Sequence, residues 1–299
     1  MKKVIGIDLG GTSVRVAKIT EEGQVLQELK RPSYAQEGPE KVLSNIIEMV
    51  EEIENWNECV GIGMGVPGPV DTVNNVMTMA SNLPGAERFP FAQRLEEKFG
   101  IPAFLDNDAN VAGLAEALVG AGKGKPIVYY VTISTGIGGA LIINGKVHAG
   151  KQGYAGEIGN IIVNGNEKKS KNLNAGAVEA EASGTAVGRE GNLRLGDKVT
   201  SAKDVFDLAR AKDPVALEIC DKMAQDLATM FSVIAHVTDP HCFVIGGGCM
   251  NAKDCFFDNM VEYFKKKVHT PMRTVEFLEA QLSEPGIVGA AMLPISHGL

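Results

Sequence analysis

Positive charge is scarce in this chain, and nowhere is it concentrated. The 299 residues include 29 Lys and Arg against 37 Asp and Glu, which gives a formal net charge of −8 without a basic block. Binding to duplex DNA or to an anionic membrane surface depends on such blocks. The apolar run at the N-terminus stops at Asp8, too early for a signal peptide or a membrane span. We therefore expect neither nucleic acid nor membrane as a partner.

Cysteine is also scarce, and its spacing fits neither a disulfide framework nor a metal site. The five cysteines form no CxxC pair and lie in apolar or helical contexts: Cys59, Cys220, Cys242, Cys249 and Cys255. An odd number of thiols in such contexts indicates reduced and mostly buried side chains. The expected location is therefore the cytoplasm.

Glycine is the residue in excess. The chain has 35 glycines, where an average usage of about 7% would give roughly 21. No G-X-Y period accompanies them and prolines number only 13, so collagen-like and linker-type chains are excluded. At roughly 100–200 residues per domain, the length suits one large domain or two. A chain of this size buries enough surface to fold without a disulfide or a metal.

Strand and helix patterns alternate along the chain, which is typical of an α/β fold. Helical patterns cover residues 40–55, 91–99, 108–119, 215–237, 254–267 and 286–293. The segments IGIDLGGTSVRVAKI and YVTISTGIGGALIIN share one order of strand, polar residue, glycines and second strand, which indicates an internal repeat. We predict a smaller domain over residues 1–115 and a larger one over 116–285, and allow the last helix, about 286–299, to return to the first.

A glycine-rich turn follows the first strand of each half. DLGGT contains Asp8, Gly10, Gly11 and Thr12, and STGIGG (134–139) is its counterpart. Glycines let backbone amides approach an anion and Thr12 adds a hydroxyl donor, while Asp8 can hold a Mg²⁺-bound water. Two such turns facing one another could grip a polyphosphate, although each alone could be an ordinary hairpin turn. Neither matches the P-loop or Rossmann patterns.

Three further segments carry candidate site residues. VIGGG (244–248) ends a strand with three glycines, which would let adenine pack on the backbone or would simply form a tight turn. DNDAN (106–110) places carboxylates and amides at a strand-to-helix junction, where they can cap the helix or act as a general base. The glycine-punctuated segment 61–71 could wall a small polar ligand, and Asn82 and Glu157 are further polar candidates.

Together these motifs resemble the ROK family (repressor, open reading frame, kinase), and within it the bacterial glucokinases. The resemblance runs over nearly the whole chain. The matching segments, in the family's order and approximate spacing, are DLGGT (8–12), GVPGPVD (65–71), DNDAN (106–110), STGIGGA (134–140), GYAGEIGN (153–160) and VIGGG (244–248). The resemblance implies an α/β, two-domain, actin-like ATPase fold of the ribonuclease H-like class, with sugar and ATP in an interdomain cleft.

The resemblance also implies roles for individual residues. Asp108 matches the catalytic base, and the expected substrate contacts are Gly68, Asn82, Asn107, Asp108, Glu157, Asn160 and Glu179. The expected ATP contacts are Asp8, Gly10, Gly11, Thr12, Thr135, Gly136, Gly138, Gly246 and Gly247, with Asp8 holding Mg²⁺ through water. The implied reaction is phosphoryl transfer from MgATP to a hexose, with glucose to glucose 6-phosphate expected, in a homodimer.

Two departures from the family pattern concern zinc. The family's GEIGH ends here in Asn160, and its CxCGxxGC loop falls on SKNLNAGA, so that Ser170, Asn172 and Ala177 replace the three cysteines. No cysteine lies between Cys59 and Cys220, so a Cys₃His zinc site cannot form in this segment. We therefore expect no structural zinc, and the loop 164–177 must be held in another way or stay mobile.

The departures leave alternatives open. The acceptor could instead be N-acetylmannosamine, N-acetylglucosamine, fructose or a β-glucoside, because Asn160 lacks the ring that shapes the family's sugar pocket. The family also contains sugar-sensing repressors, but the sequence shows no basic helix-turn-helix module. A non-catalytic sugar-binding protein is disfavoured by the intact DNDAN segment and the two glycine turns.

Overall fold

The first five-stranded sheet is built from the N-terminal third of the chain. The computed structural model describes residues 1–80, 82–170, 172–197 and 199–299. In chain order the strands are β1 (Lys3–Leu9), β2 (Ser13–Thr20), β3 (Val25–Pro32), β4 (Ile62–Val66), β5 (Val70–Asp71), β6 (Val76–Met77) and β7 (Ala103–Asn107). Five of them form a sheet in the order β3-β2-β1-β4-β7, while β5 and β6 form a separate antiparallel pair.

Strand direction changes within this sheet. β1, β2 and β3 form an antiparallel meander, whereas β4 runs parallel to β1 and β7 parallel to β4. Central strands such as β1 bury apolar residues on both faces, including Val4 and Ile5, whose side chains point to opposite sides of the sheet. Since parallel strands end at the same edge of a sheet, the carboxyl ends of β1, β4 and β7 meet there.

The second sheet repeats this strand order. Its strands are β8 (Ile127–Ile133), β9 (Ile137–Ile143), β10 (Lys146–Val147), β11 (Cys242–Gly246) and β12 (Glu276–Glu279), in the order β10-β9-β8-β11-β12. The predicted internal repeat is confirmed, because both sheets follow the order third, second, first, fourth, fifth. The predicted turn over residues 135–139 was too long, since β9 already begins at Ile137 and buries Ile137 and Gly139 on alternate positions.

The helices follow the apolar periodicity of the sequence. They are α1 (Pro39–Glu51), α2 (Phe91–Phe99), α3 (Asp108–Leu118), α4 (Val178–Ala182), α5 (Gly184–Leu195), α6 (Ala202–Arg210), α7 (Pro214–Thr238), α8 (Phe257–Lys267) and α9 (Pro285–Ser296). Helix α2 has its predicted bounds, and Gly100 ends it in the left-handed conformation with φ of 71°. Helix α1 ends four residues earlier than predicted, because the chain turns through Asn55, whose φ is 52°. Within the described ranges, no helix combines the length and apolarity needed to cross a bilayer.

The chain forms two compact units, and their bounds differ from the predicted domains. One contains Met1–Tyr130, Ala140–Gly156 and Ala280–Leu299, and the other contains Val131–Gly139 and Glu157–Glu279. The first unit therefore extends beyond residue 115. A physical reason is the fully buried Glu116, whose carboxylate accepts hydrogen bonds from the backbone amides of Ala121, Gln281 and Leu282 at 2.8–2.9 Å. This one side chain ties the end of α3 to the returning C-terminal segment.

Helix α9 packs unusually close to its neighbours in the first unit. A Cβ at Gly289 would overlap the carbonyl oxygen of Val111 on α3, and a Cβ at Gly63 on β4 would overlap the carbonyl oxygen of Ala290. Both glycines are therefore required by backbone approach. The packing buries Ile287, Ala291 and the rest of the inner face of α9 against the first sheet.

This contact predicts the effect of adding one methyl group. Gly289→Ala should lower the free energy of unfolding by about 1–3 kcal/mol, because neither helix can yield without moving backbone. Urea unfolding followed by circular dichroism measures the change. The matched control is Gly165→Ala, where a Cβ would meet open space and the change should stay within about 0.5 kcal/mol. Equal stability of the two variants would contradict the packing argument.

Candidate active site

Polar side chains gather at the carboxyl edge of the first sheet. Asp8 lies near the end of β1, Asn107 is the last residue of β7, and Asp108 begins α3. The register pairs Gly65 of β4 with both Asp8 and Asp106, so the strand ends are level with one another. The structure thus brings together two segments, DLGGT and DNDAN, that lie about a hundred residues apart in the sequence.

Asn107 is held by hydrogen bonds on both sides of its amide. Its Oδ1 accepts from the backbone N–H of Ala109 at 2.9 Å, which caps α3, and its Nδ2 donates to the carbonyl oxygen of Gly68 at 3.0 Å. The capping role considered in the sequence analysis is confirmed. A side-chain amide has two donors and two acceptor lone pairs, so Asn107 retains capacity for a ligand while its orientation is fixed.

Asp108 has the electrostatic character of a base. Desolvation by the surrounding protein raises the pKa of its carboxyl group, and the negative charge of Asp8 raises it further. The hydrogen bond from the backbone N–H of Ala109 partly offsets this rise by lowering the pKa. One side of the residue stays open to solvent, so an acceptor hydroxyl can reach it. A carboxylate with a raised pKa at an accessible strand end is a suitable proton acceptor.

Asp106 is the buried neighbour of this base. Its Oδ1 accepts 2.7 Å hydrogen bonds from the backbone N–H of Asn107 and from Nδ2 of Asn110. Burial raises the pKa of Asp106, and these hydrogen bonds oppose the rise. The two carboxyl groups of DNDAN therefore lie in different environments: Asp106 is buried and stabilises the turn through hydrogen bonds, whereas Asp108 is exposed.

Asp8 is paired with Arg15 across the β1–β2 hairpin. Nη2 and Nε of Arg15 lie 2.7 and 3.2 Å from Oδ2 of Asp8, and Arg15 also contacts Glu284. Both of these hydrogen bonds from Arg15 are accepted by Oδ2 of Asp8, so Oδ1 could accept from a metal-bound water. The carboxylate of Asp8, beside the glycine turn, is a suitable acceptor for a water molecule bound to Mg²⁺.

The first glycine turn lies against Asn82. The N–H of Gly10 donates to the carbonyl oxygen of Ser13 at 2.9 Å, and a Cβ at Gly11 would lie 3.2 Å from the carbonyl oxygen of Asn82. Thr12 is exposed beside it. Gly68 adopts φ of 101°, a conformation that favours glycine. Predicted phosphate and substrate residues of the first unit thus lie in adjoining loops.

The second unit contains a cavity of about 640 Å³ beside its own glycine turn. The turn is closed by a 2.9 Å hydrogen bond from the N–H of Ser134 to the carbonyl oxygen of Gly136, and the N–H of Gly184 donates to the carbonyl oxygen of Ser134 at 2.7 Å. The lining residues are Ser134, Thr135, Gly184, Thr185, Gly188, Arg189, Thr200, Ser201, Ala202, Lys203, Phe206, Arg210, Gly248, Cys249, Asn251 and Ala252.

Most of these lining residues were missed by the sequence analysis. Thr135 was predicted, but the contributions of α5 and α6 were not. The available signals were Ser183, which caps α5 by accepting from the N–H of Ala186, and the capping box of Ser201 and Asp204 at α6. Those signals mark helix starts, and only the fold shows that both starts border one cavity.

The predicted glycines on the nucleoside side lie just before the cavity lining. Gly246 is the buried end of β11, and Gly247 has φ of 93° and approaches the carbonyl oxygen of Ile133 too closely for a Cβ. The lining itself starts at Gly248. Gly138 lies within β9, two residues beyond the turn. The binding roles of these three glycines remain predictions.

Glu179 braces the second glycine turn from α4. Its Oε2 accepts from the N–H of Ile137 at 2.8 Å, and a Cβ at Gly136 would lie only 2.6 Å from the same oxygen. Glu157 precedes the short 3₁₀ helix Ile158–Asn160, Asn160 is its last residue, and both are exposed. Oδ1 of Asn160 accepts from the backbone N–H of Asn174 at 2.7 Å. Lys171, within the loop predicted to lack zinc, lies outside the described residues.

None of the five cysteines forms a disulfide bond. Burial raises the pKa of Cys59 and Cys249 to about 11 and that of Cys220 to about 12, which disfavours the reactive thiolate at these positions. In the described part of the chain, no group of three or more His, Cys, Asp and Glu side chains is arranged to hold a metal ion.

Fold and site together define the class of the protein. Two sheets of one strand order, each with a glycine turn after its first strand, are the actin-like ATPase architecture of the ribonuclease H-like class, so the predicted fold class is confirmed. The ROK family model matches residues 4–296. The chain therefore belongs to the ROK family, as the sequence motifs indicated.

Known members show how near the relationship is. The glucokinase of Thermotoga maritima is 32% identical over 309 residues, covering 97% of this chain and 96% of that protein. The crystal structure of a ROK hexokinase from Thermus thermophilus superimposes with a TM-score of 0.87 at 31% identity and covers 99% of this chain and all of its own. A ROK glucokinase from Streptomyces griseus, solved with glucose and AMPPNP, gives a TM-score of 0.75 at 28% identity, covering 97% and 98% of the two chains.

The environment of Asp108 predicts a pH-dependent gain in stability on its replacement. Because the folded-state pKa is raised, the charged carboxylate opposes folding above that pKa, and the cost vanishes below the unfolded pKa of about 3.9. Asp108→Asn should therefore be more stable than the wild type at pH 7, with the difference shrinking as the pH falls. Denaturant unfolding at several pH values measures this. If Asp108→Asn were less stable than the wild type at pH 7, the claim that the Asp108 carboxylate is desolvated would be contradicted.

Proposed function

We propose that this protein transfers the γ-phosphoryl group of ATP to a hexose, with the 6-hydroxyl of glucose as the acceptor. The observation that carries the proposal is Asp108, an accessible carboxyl with a raised pKa beside an amide whose orientation is fixed. The relatives named glucokinase and hexokinase, and the solved complex with glucose and AMPPNP, support the same choice of substrates.

Asp108 would take the proton of the acceptor hydroxyl. As the sugar oxygen bonds to the γ-phosphorus, the bond from that phosphorus to the bridging oxygen breaks, and ADP leaves with the bonding electrons. Most catalysis of this kind is positioning and electrostatic stabilisation. Backbone N–H groups at Gly11 and Thr12 and at Thr135 and Gly136 would supply stabilising dipoles, and Gly10, whose own N–H donates to Ser13, would let a phosphate approach the backbone.

Mg²⁺, when bound, neutralises charge on the phosphates, and Asp8 would hold it through a water. Arg15 fixes the Asp8 carboxylate at 2.7 Å, so the residue is oriented before nucleotide arrives. The cavity of the second unit would take the nucleoside, with Gly246 and Gly247 shaping its strand side. Arg189, Lys203 and Arg210 also line it; Arg189 donates to the carbonyl oxygen of Ala180, and the other two are paired with Asp207 and Asp254.

The sugar would be bound by amide and carboxylate groups. Asn107, Glu157, Asn160 and Glu179 offer donors and acceptors for hydroxyl groups, and Gly68 and Asn82 would border the pocket. A second candidate acceptor is an N-acetylated hexosamine, favoured by Asn160, whose small side chain leaves more room than a ring would. We further propose a cytoplasmic homodimer, consistent with its reduced thiols.

The proposal predicts ADP release that depends on sugar. With MgATP, coupled ADP release should be highest with glucose among glucose, mannose, fructose, N-acetylglucosamine and N-acetylmannosamine. Asp108→Asn should lower kcat by about 10²–10⁴-fold, the usual worth of a general base. Asp106→Asn, the matched change of a carboxyl that faces inward, should have a milder effect. A zinc-selective chelator should leave the activity unchanged.

The possible outcomes separate the alternatives. Near-normal sugar-dependent turnover by Asp108→Asn would refute the catalytic assignment. If the enzyme prefers an N-acetylated hexosamine, that sugar replaces glucose as the proposed acceptor. If it prefers fructose, fructose becomes the proposed acceptor. Sugar binding without ADP release in the wild type would indicate a non-catalytic sensor.

A further inference from the structure

The loop between Asn160 and α4 is anchored by side chains that the proposed reaction does not use. Nδ2 of Asn164 donates to Oε2 of Glu181 at 3.0 Å and lies 3.2 Å from both carboxylate oxygens of Asp226. Lys222 bonds to Asp226 and lies 4.0 Å from Glu181. We call Asn164, Glu181, Lys222 and Asp226 the polar clasp.

The clasp satisfies charges that would otherwise oppose folding. Asp226 on α7 is 4% exposed, and the side chain of Glu181 on α4 is 11% exposed. Two carboxylates so placed repel one another and lose hydration, so each needs donors. Lys222 supplies the positive charge, and the Asn164 amide supplies hydrogen-bond donors without adding another charge. The loop residue Asn164 is therefore tied to two helices at once.

The backbone of the loop is closed directly above this anchor. The N–H of Val163 donates to the carbonyl oxygen of Gly176 at 2.8 Å, and the N–H of Val178 donates to that of Ile161 at 2.8 Å. Gly176, with φ of 71°, lies too close to the carbonyl oxygen of Asn164 to carry a Cβ. Both strands of the loop are thus fixed with respect to Asn164.

The far side of the loop holds Asn160. The backbone N–H of Asn174 donates to Oδ1 of Asn160 at 2.7 Å, which restrains the orientation of the exposed Asn160 amide. Asn166 adds a second tie, since its Nδ2 donates to Oε1 of Glu181 at 2.7 Å. The described part of the loop is therefore joined to the clasp helices at Asn164 and Asn166, and to Asn160 at Asn174.

We propose that Asn164 is a positioning residue for sugar binding, which acts by clasping the loop so that Asn174 orients Asn160. The inference rests on the proposed function in one respect, namely that Asn160 contacts the sugar. It also explains how a loop without cysteines is ordered. Removing the Asn164 amide leaves Glu181 and Asp226 facing one another with Lys222 as their shared cation, and the loop loses its anchor.

The test measures sugar affinity and loop order separately. Asn164→Ala should raise the KM for glucose and its Kd by calorimetry by about 10-fold, equivalent to about 1.4 kcal/mol. The kcat and the KM for ATP should stay within about 2-fold of wild type, because the change alters sugar binding alone. Hydrogen exchange at the amides of Val163 and Val178 should speed up. The matched control, Asn172→Ala, changes an exposed residue of the same loop and should leave all five measurements unchanged.

A double-mutant cycle tests whether the effect passes through Asn160. Asn160→Ala should weaken glucose binding, and adding Asn164→Ala should then weaken it little further, since residues in one network are non-additive. Full additivity, or an unchanged glucose Kd in Asn164→Ala, would overturn the proposal. If Asn164→Ala folds poorly, Asp226→Asn serves instead, because it keeps an acceptor for Asn164 and should give a smaller change in the same direction.

Failure of the clasp and failure of the proposed function give different results. A wild-type protein that neither binds nor phosphorylates a hexose would refute the proposed function and the role of Asn160 with it. Hydrogen exchange would then test separately whether the clasp holds the loop. Unchanged exchange at Val163 and Val178 in Asn164→Ala would show that the clasp does not hold the loop, whatever the protein binds.

Discussion

The parallel pairing of β1, β4 and β7 is the constraint on which the first unit depends. Parallel neighbours end at the same sheet edge, and that edge brings Asp8 level with DNDAN. Helix α9 packs closely against this sheet. Gly63 lets β4 approach the backbone of α9, and Gly289 lets α9 approach the backbone of α3, at distances that a Cβ would prevent. Glu116, buried and bonded to three backbone amides, fixes the chain as it returns to this packing.

The site shows how similar groups acquire different roles from their surroundings. Asp106 and Asp108 are separated by one residue, yet the first is enclosed by Asn107 and Asn110 whereas the second faces outward. Burial raises both pKa values, but Asp108 is exposed whereas Asp106 is buried. Asn107, between them, caps α3 and donates to Gly68, so one turn fixes the backbone that carries both carboxyls.

Internal duplication of the strand order did not duplicate the chemistry. Both halves place a glycine turn after their first strand, but the first turn lies beside carboxylates and the second beside the starts of two helices with cationic side chains. The second half also carries the loop above α4, where a lysine and an asparagine balance two carboxylates. Four helices, α4 to α7, lie between β10 and β11, whereas α1 lies between β3 and β4, so inserted helices as well as loops distinguish the halves.

The sequence by itself determined the α/β class, the repeat, the bounds of α2 and the motifs that identify the family. These features are local, because apolar periodicity and glycine turns depend on neighbouring residues. Only the tertiary structure decided that Asp106 turns inward, that α5 and α6 border the cavity beside Thr135, and that Asn164 meets Asp226. Such contacts join residues far apart in the chain, and their geometry follows from packing that no local pattern encodes.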